Sequence, residues 1–187
     1  MKTTHIAGVI AGAALFCAAP PSVAQDKGKT AATELAADSK AALQQLYANV
    51  PLAKELGPKA QAILVFPKVT KAGLGIGGQY GEGALLKGGT AVGYYKTTGA
   101  SFGLQAGGQQ YAYAMLFMNA KALEQLDNAK GFEVGVGPSV VLVDEGMAKT
   151  ATTSTLKDDI YAFVFGQKGL MAGLGIQGNK ITKITPK

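Results

Sequence analysis

The 187-residue chain has no arginine and no tryptophan, one histidine (His5) and one cysteine (Cys17). Both of these residues lie in the N-terminal segment, so a form processed after residue 24 would hold no imidazole and no thiol. Ser-His-Asp and Cys-His nucleophile systems need an imidazole as a general base near neutral pH, and common zinc sites use histidine and cysteine. We therefore expect a protein that is not an enzyme and that holds no metal and no cofactor.

Residues 1–24 have the three parts of a signal peptide. Lys2 supplies a positive charge, Ile6–Ala19 forms an apolar run, and Ser22-Val23-Ala24 is a small-x-small cleavage site. The pattern predicts cleavage before Gln25 and an exported protein, either periplasmic or associated with the cell envelope.

Lipidation of Cys17 is the alternative to this soluble export. In that case Cys17 would become the lipidated N-terminus, although lipoprotein signals have a small residue directly before the cysteine and Phe16 stands there. The apolar run is shorter than the roughly 20 residues that span a bilayer, which makes an uncleaved anchor the weaker alternative.

The chain has 18 lysines against 12 aspartates and glutamates. The formal net charge is +6, and loss of residues 1–24 with Lys2 would lower it to +5. A positive balance of this size favours an anionic lipid surface as a partner. It also fits a basic surface that only keeps an exported protein soluble.

The N-terminal part predicts helices after a flexible polar segment at residues 25–32. An apolar stripe at helical spacing indicates a helix over Thr33–Asn49. Pro51 and Pro58 each occupy a favourable position for opening a short helical turn. Further along, Asn119 is a good cap for a short helix over Ala120–Leu126.

The rest of the chain predicts about ten short strands and few helices. The fold class expected from this is α+β: a single domain over 33–187, dominated by a strongly curved antiparallel sheet with an N-terminal helix and one short internal helix. The turn Gly88-Gly89 should join two of the strands. The predicted strands are 62–66, 73–77, 83–87, 90–96, 101–107, 111–118, 132–136, 140–143, 160–165, 170–177 and 180–184.

Glycines alternate with apolar residues in a pattern that occurs twice, 100 residues apart. Each copy follows an apolar run, so we interpret the two copies as two similar hairpins of one sheet. A strand face without side chains allows close packing or a sharp bend of the sheet. The predicted structural glycines are Gly73, Gly75 and Gly78 in the first copy and Gly173, Gly175 and Gly178 in the second.

These motifs resemble the SYLF domain, a lipid-binding domain also described as an actin-regulator domain. The similar blocks are Phe-Pro, Lys and Ala-Gly-x-Gly-x-Gly-Gly from Phe66, then SFGLQAGGQ, GVGPS and FGQKGLMAGLGIQGNKITKI. The resemblance extends over about Thr33–Ile184, and it implies a lipid-binding domain. Many members have a Trp-Ser-x-Pro motif where Gly93-Tyr94-Tyr95-Lys96 stands here, as in compact bacterial relatives.

Three other motifs are weaker indicators of function. Gly73-x-Gly75-x-x-Gly78 and its second copy fit a dinucleotide fingerprint, but no predicted helix follows either copy. Asp144-Glu145 and Asp158-Asp159 could ligate a divalent cation, but adjacent acids in loops usually are only solvated. Tyr94-Tyr95-Lys96 without any arginine is a poor nucleic-acid site, and we expect no nucleic-acid partner.

The function that we predict is non-enzymatic binding of phospholipid, phosphatidylinositol included, at a membrane surface of the bacterial envelope. Lys68, Lys71 and Lys168 are the predicted contacts with anionic head groups, because Lys68 and Lys168 occupy matching places in the two copies. The alternatives are a structural or adhesive envelope protein that acts through protein contacts, and a carrier of a small apolar ligand. The sequence predicts no particular oligomeric state.

Overall fold

The structure is a computed structural model, and it describes residues 23–127, 131–143, 147–148, 157–166, 169–170, 176 and 178–187. Side chains are described within these ranges except in 23–29, 74–76, 101–107 and 169–170. Several of the predicted features lie outside the described residues: residues 1–22 of the signal peptide with Cys17, the acid pair Asp144-Glu145, and Lys168, Gly173 and Gly175.

A ribbon of two very long antiparallel strands dominates the fold. Strand β1 spans Ala62–Lys87 and strand β2 spans Thr90–Phe117. The turn between them is Gly88-Gly89, as predicted, with φ angles of +55° and +78°. Positive φ at both central residues gives a turn whose twist matches that of the strands. The six short strands predicted between residues 62 and 118 are therefore segments of this one ribbon.

The predicted strand ends within the ribbon are wrong. Ile63–Phe66 and Gly73–Gly77 do not form a hairpin, because both lie in β1. Pro67 falls at a register shift between Phe66 and Val69. Strand β1 has one residue more than β2 in this interval, which interrupts the ladder of hydrogen bonds. A proline is tolerated at such a bulge because it has no N–H to contribute to the ladder.

The other strands pair along the far side of β2 and beyond it. The sheet has seven strands among the described residues, fewer than the ten or so predicted, and its path is β3, β7, β2, β5, β4, with β1 beside β2 and β6 beside β5. The added strands are β3 (Phe132–Glu133), β4 (Val140–Val143), β5 (Ile160–Gly166), β6 (Gly169–Leu170) and β7 (Lys180–Ile184). All pairs are antiparallel except β4 with β5. The sheet curls into a half-barrel, which confirms the predicted single α+β domain.

Strand β1 bends so far that it passes over itself. A Cβ added at Gly81 would lie 2.8 Å from the carbonyl oxygen of Lys68, although 13 residues of straight strand would separate the two by roughly 43 Å. A Cβ at Gly83 would likewise meet the carbonyl oxygen of Val65. The pairing with β2 shifts between Gly73 and Gly75, which marks the place of the bend.

A buried serine of the first helix joins the two halves of β1. Helix α1 spans Val23–Asn49, and its Ser39 is fully buried. The Ser39 hydroxyl donates to the carbonyl oxygen of Val65 at 3.3 Å and accepts from the backbone N–H of Ala84 at 3.2 Å. One side chain thus provides partners for two backbone groups on the edge of β1 that faces away from β2.

Helix α1 begins at Val23, ten residues before the predicted start at Thr33. Residues 25–32, predicted to be flexible, therefore lie within the helix. Extending an existing helix by one residue costs far less than nucleating a new one, so the packed part of α1 can propagate toward its N-terminus. Among the described residues, no helix combines the length and the apolar character needed to span a bilayer.

The shorter helices follow the predicted capping residues. Helix α2 spans Pro51–Leu56 with proline at its first position, and a 3₁₀ turn follows at Gly57–Lys59. Helix α3 spans Ala120–Leu126, where the Asn119 side chain accepts a hydrogen bond from the backbone N–H of Ala122 at 2.8 Å. Strand β3 ends earlier than predicted because Gly135 and Gly137 have φ of +98°, outside the strand region.

Two apolar clusters lie on the two faces of the sheet. The inner cluster lies on the face away from α1 and α2 and contains fully buried residues such as Phe66, Tyr113 and Met115. The outer cluster lies under α1 and α2, with Leu46 and Leu56 against Val65. Alternate residues of β1 and β2 therefore enter different cores, as strand periodicity requires.

We predict that Gly83→Ala destabilises the protein by about 3 kcal/mol, because the new methyl would overlap the backbone of the other half of β1. Urea unfolding measures the change. Gly78→Ala is the matched control, since its nearest neighbour would be the Gly99 oxygen at 3.8 Å, and it should change stability little. Equal stability of the two variants would contradict the close passage of β1 over itself.

Candidate functional site

Lys68 and Lys71 lie on β1 close to the register shift after Phe66. The Lys68 side chain is exposed, and the Lys71 side chain is partly exposed. Within the residues that the structure describes, neither ammonium group has an ion-pair or hydrogen-bond partner. Among the described strands β1 pairs only with β2, so both lysines lie on an edge strand. The second half of β1 lies against the other edge at Lys68, where Gly81 approaches its carbonyl oxygen.

Strand alternation places the two lysines on opposite faces of β1. Lys71 follows the buried Val69 by two residues and shares its face, whereas Lys68 directly precedes Val69 and lies on the other face. The structure therefore does not gather them into one patch on a single face. The third predicted contact, Lys168, lies outside the described residues, so its place beside Lys68 stays a prediction.

The described glycines of the two copies have different surroundings. Gly73 and Gly75 flank the register shift at the bend of β1. Gly78 is exposed in the part of β1 that follows the bend. Gly178 precedes β7 with φ of +76°, a conformation that favours glycine, and its N–H donates to the carbonyl oxygen of Val134 at 2.8 Å. The dinucleotide arrangement is absent from the first copy, because β1 continues through Gly78 where a helix would have to begin.

Asp159 is engaged in structural hydrogen bonds. Its carboxylate accepts from the Asn119 amide at 2.7 Å and from the backbone N–H of Ser139 at 3.1 Å. The opposite end of the same Asn119 side chain caps α3, so the three residues tie α3 to β4 and β5. Within the described ranges no group of acids, histidines or cysteines is arranged to hold a metal ion.

A buried polar cluster beside the inner apolar cluster was not predicted from the sequence. We call it the amide cluster; its members are Gln79, Thr97, Tyr111, Tyr113 and Asn179. Tyr111 donates to the Gln79 side-chain oxygen at 2.6 Å, and the Gln79 amide nitrogen donates to the Asn179 side-chain oxygen. Burial raises the pKa of Tyr111 to about 12 and raises that of Tyr113 further.

The repeat of the glycine pattern after 100 residues could have indicated this cluster. Gln79 follows Gly78, and Asn179 follows Gly178, so the two amides occupy matching positions of the two copies. Their hydrogen bond joins the copies directly. Gly99 of β2 lies opposite Gln79, and a Cβ there would meet both amide side chains. The missing side chain at Gly99 therefore leaves room for the contact.

A second polar group connects α3 to the sheet. The hydroxyl of the buried Tyr95 donates to Asp127 at 2.7 Å, and the ammonium of Lys183 lies 2.9 Å from the same carboxylate. The hydrogen bond from Tyr95, then that from Lys183, lowers the pKa of Asp127 below its ordinary value. Lys183 and Asp127 are more than half exposed, so this ion pair contributes little to stability.

A protein-family model matches part of this chain. The model described as Ysc84, Las17-binding protein actin regulator, matches residues 98–185. The predicted SYLF resemblance is confirmed for these residues. The SYLF match covers somewhat less than half of the chain, from within β2 to the end of β7, and it includes Asn179 but neither Lys68 nor Lys71. A search of curated proteins finds no match.

We predict that replacing Asp159 by Asn destabilises the protein in a pH-dependent way. The hydrogen bond from Asn119, then those from Ser139, lowers the pKa of Asp159 below its ordinary 3.8. The stabilisation is therefore complete above that value and is lost as the pH falls through the lowered pKa. Urea unfolding of both proteins from about pH 7 to about pH 2.5 should show a gap that closes toward low pH.

Asp38→Asn provides the control, because Asp38 is exposed on α1 and has no hydrogen-bond partner among the described residues. The free energy of unfolding of the Asp38→Asn variant should equal that of the unmodified protein at every pH. A gap for Asp159→Asn that stays constant with pH would contradict a role of the ionised carboxylate.

Proposed function

We propose that the protein is a non-enzymatic binding domain that acts at a membrane surface by contacting anionic phospholipid head groups. The observation that carries the proposal is the pair of unpartnered lysines, Lys68 and Lys71, on the edge strand β1. The SYLF match supports a binding domain in the coarser sense.

Lysine suits this role because its ammonium is a compact charge on a flexible stem. Near an anionic bilayer each lysine contributes about 1 kcal/mol, so two or three of them support a weak, salt-sensitive attachment. The formal net charge, +6 for the full chain and +5 after loss of residues 1–24, adds a general attraction in the same direction.

Lys68 and Lys71 lie on opposite faces of β1, so a bilayer against one face of the sheet would meet only one of the two side chains directly. The edge of β1 beside Lys68 is not free for a bilayer, because the second half of β1 lies against it at Gly81. We propose that Lys68 makes the direct contact, with Lys168 of the second copy as a further contact, and that Lys71 adds to the electrostatic attraction.

The proposed location is the bacterial cell envelope. The signal-peptide pattern of residues 1–24 supports export to the periplasm, and lipidation at Cys17 is the alternative route to the same surface. Either route would present the lysines to phospholipid outside the cytoplasm.

A protein partner in the envelope is the second candidate function. The description of the matched family as a Las17-binding protein favours it, because that name records protein binding. Export makes actin regulation itself a poor expectation for this chain. Binding of a protein partner would not need anionic lipid and would tolerate salt.

We predict that the triple variant Lys68→Glu, Lys71→Glu, Lys168→Glu binds anionic vesicles at least about 100-fold more weakly than the unmodified protein. Three attractive charges of about 1 kcal/mol each become repulsive in this variant. Co-sedimentation with phosphatidylglycerol-containing vesicles and with neutral phosphatidylcholine vesicles, at low and high salt, measures the effect.

The control variant changes the same total charge on the helical side of the molecule: Lys40→Glu, Lys54→Glu, Lys59→Glu. All three of these lysines are exposed on α1, α2 and the following 3₁₀ turn. The control variant should lose only the general electrostatic attraction and retain most of the binding to anionic vesicles. Equal loss in both triple variants would mean that net charge, and not the position of the lysines on β1, determines binding. No binding by the unmodified protein would favour the protein-partner function.

A further inference from the structure

A cavity of about 350 Å³ lies between the end of α3, strand β3 with the loop after it, and strand β7. Its lining includes three polar side chains and part of the loop: Gln125, Glu133, Lys180, Val136 and Gly137. Pockets for small organic ligands have volumes from about 300 Å³ upward. The cavity is therefore large enough for a molecule of the size of an amino acid.

Backbone hydrogen bonds hold the loop that forms one wall of the cavity. Val134 donates its N–H to the carbonyl oxygen of Asn179 at 2.9 Å, and its own carbonyl oxygen accepts from the N–H of Gly178 at 2.8 Å. The N–H of Val136 donates to the carbonyl oxygen of Glu133 at 3.1 Å and closes a turn. The loop is thus fixed to the segment before β7.

Two glycines show where the cavity is closed and where it is open. A Cβ added at Gly131 would lie 2.9 Å from the carbonyl oxygen of Ile181, so the backbone packs closely on the side of β7. A Cβ added at Gly137 would meet no atom within 4 Å. A ligand therefore has room on the side of Gly137, next to Val136.

Two opposite charges line the cavity side by side. Glu133 and Lys180 are register partners in the antiparallel pairing of β3 with β7, so their side chains leave the same face with Cβ atoms about 5 Å apart. Both side chains are exposed, and so is that of Gln125. Among the described residues, the carboxylate, the ammonium and the Gln125 amide have no hydrogen-bond or ion-pair partner.

The pair of charges selects the class of ligand. A purely anionic or purely cationic molecule would be attracted by one of the two side chains and repelled by the other. A zwitterion, whose ammonium and anionic group lie a few atoms apart, is attracted by both. The Gln125 amide can donate to the anionic group or accept from the ammonium. An exposed Glu–Lys pair contributes little free energy, so mutual attraction of the two side chains does not prevent a zwitterion from binding between them.

We propose that Glu133, Lys180 and Gln125 form a binding site for a small zwitterion, in which Glu133 contacts the ammonium and Lys180 the anionic group. A free amino acid has this chemistry, and so has a phosphoethanolamine head group. Val136 is 61% exposed and would contact an apolar side chain of an amino acid. The site is independent of the proposed contact of Lys68 with anionic lipid.

Isothermal titration calorimetry of the unmodified protein tests the proposal with L-valine and with glycerophosphoethanolamine. N-acetyl-L-valine lacks the ammonium group, and L-valinamide lacks the carboxylate. We expect each of these two analogues to bind at least about tenfold more weakly than L-valine, a change of about 1.4 kcal/mol in binding. Tighter binding of L-valine identifies a free amino acid as the ligand, and tighter binding of glycerophosphoethanolamine identifies a lipid head group.

The variants Glu133→Gln and Lys180→Gln each remove one charge of the site. Both positions are exposed, so both variants should fold. We expect each variant to bind the preferred zwitterion at least about tenfold more weakly than the unmodified protein. The matched controls are Glu55→Gln and Lys54→Gln, which remove the same charges from exposed positions of α2 and should leave binding unchanged.

Three results overturn the proposal: no saturable binding of either zwitterion up to about 10 mM, equal binding of L-valine and its two singly charged analogues, or unchanged binding in Glu133→Gln and Lys180→Gln. The triple variant of Lys68, Lys71 and Lys168 should bind the zwitterion like the unmodified protein. Failure of the proposed membrane contact and failure of this site are therefore separate observations.

Discussion

The close passage of β1 over itself is the constraint on which the rest of the structure depends. Backbone meets backbone where Gly81 approaches Lys68 and where Gly83 approaches Val65, so a side chain at either glycine would separate the two halves of the strand. Ser39 forms hydrogen bonds with both halves of β1, so α1 lies across the place where the two halves meet. The ribbon of β1 and β2 can therefore curl, and the seven-stranded sheet that contains it has a separate apolar core on each face.

The same bend positions both polar features of the molecule. It leaves Lys68 exposed and Lys71 partly exposed in the half of β1 before the bend. It also turns Gln79 inward, so that its amide reaches Asn179 over Gly99. One strand thus carries cationic side chains before the bend and a buried, uncharged amide after it.

Local patterns in the sequence predict the elements that depend on local chemistry. The Asn119 cap, the Pro51 helix start and the Gly88-Gly89 turn all follow from residues within a few positions of each other. Contacts between distant residues could not be predicted in this way. Pro67 suggests a strand end, but pairing with β2 overrides that local signal, and the meeting of Gln79 with Asn179 depends on the whole topology. The repeat at a spacing of 100 residues was the one available clue to that meeting.

Hydrogen–deuterium exchange with and without anionic vesicles would locate the membrane contact along the chain. We expect slower exchange in the Lys68–Lys71 segment of β1 with anionic vesicles at low salt, and no change with neutral vesicles. Slower exchange confined to α1 and α2, or unchanged exchange in that segment under conditions where the protein binds vesicles, would contradict the proposed lysine contact.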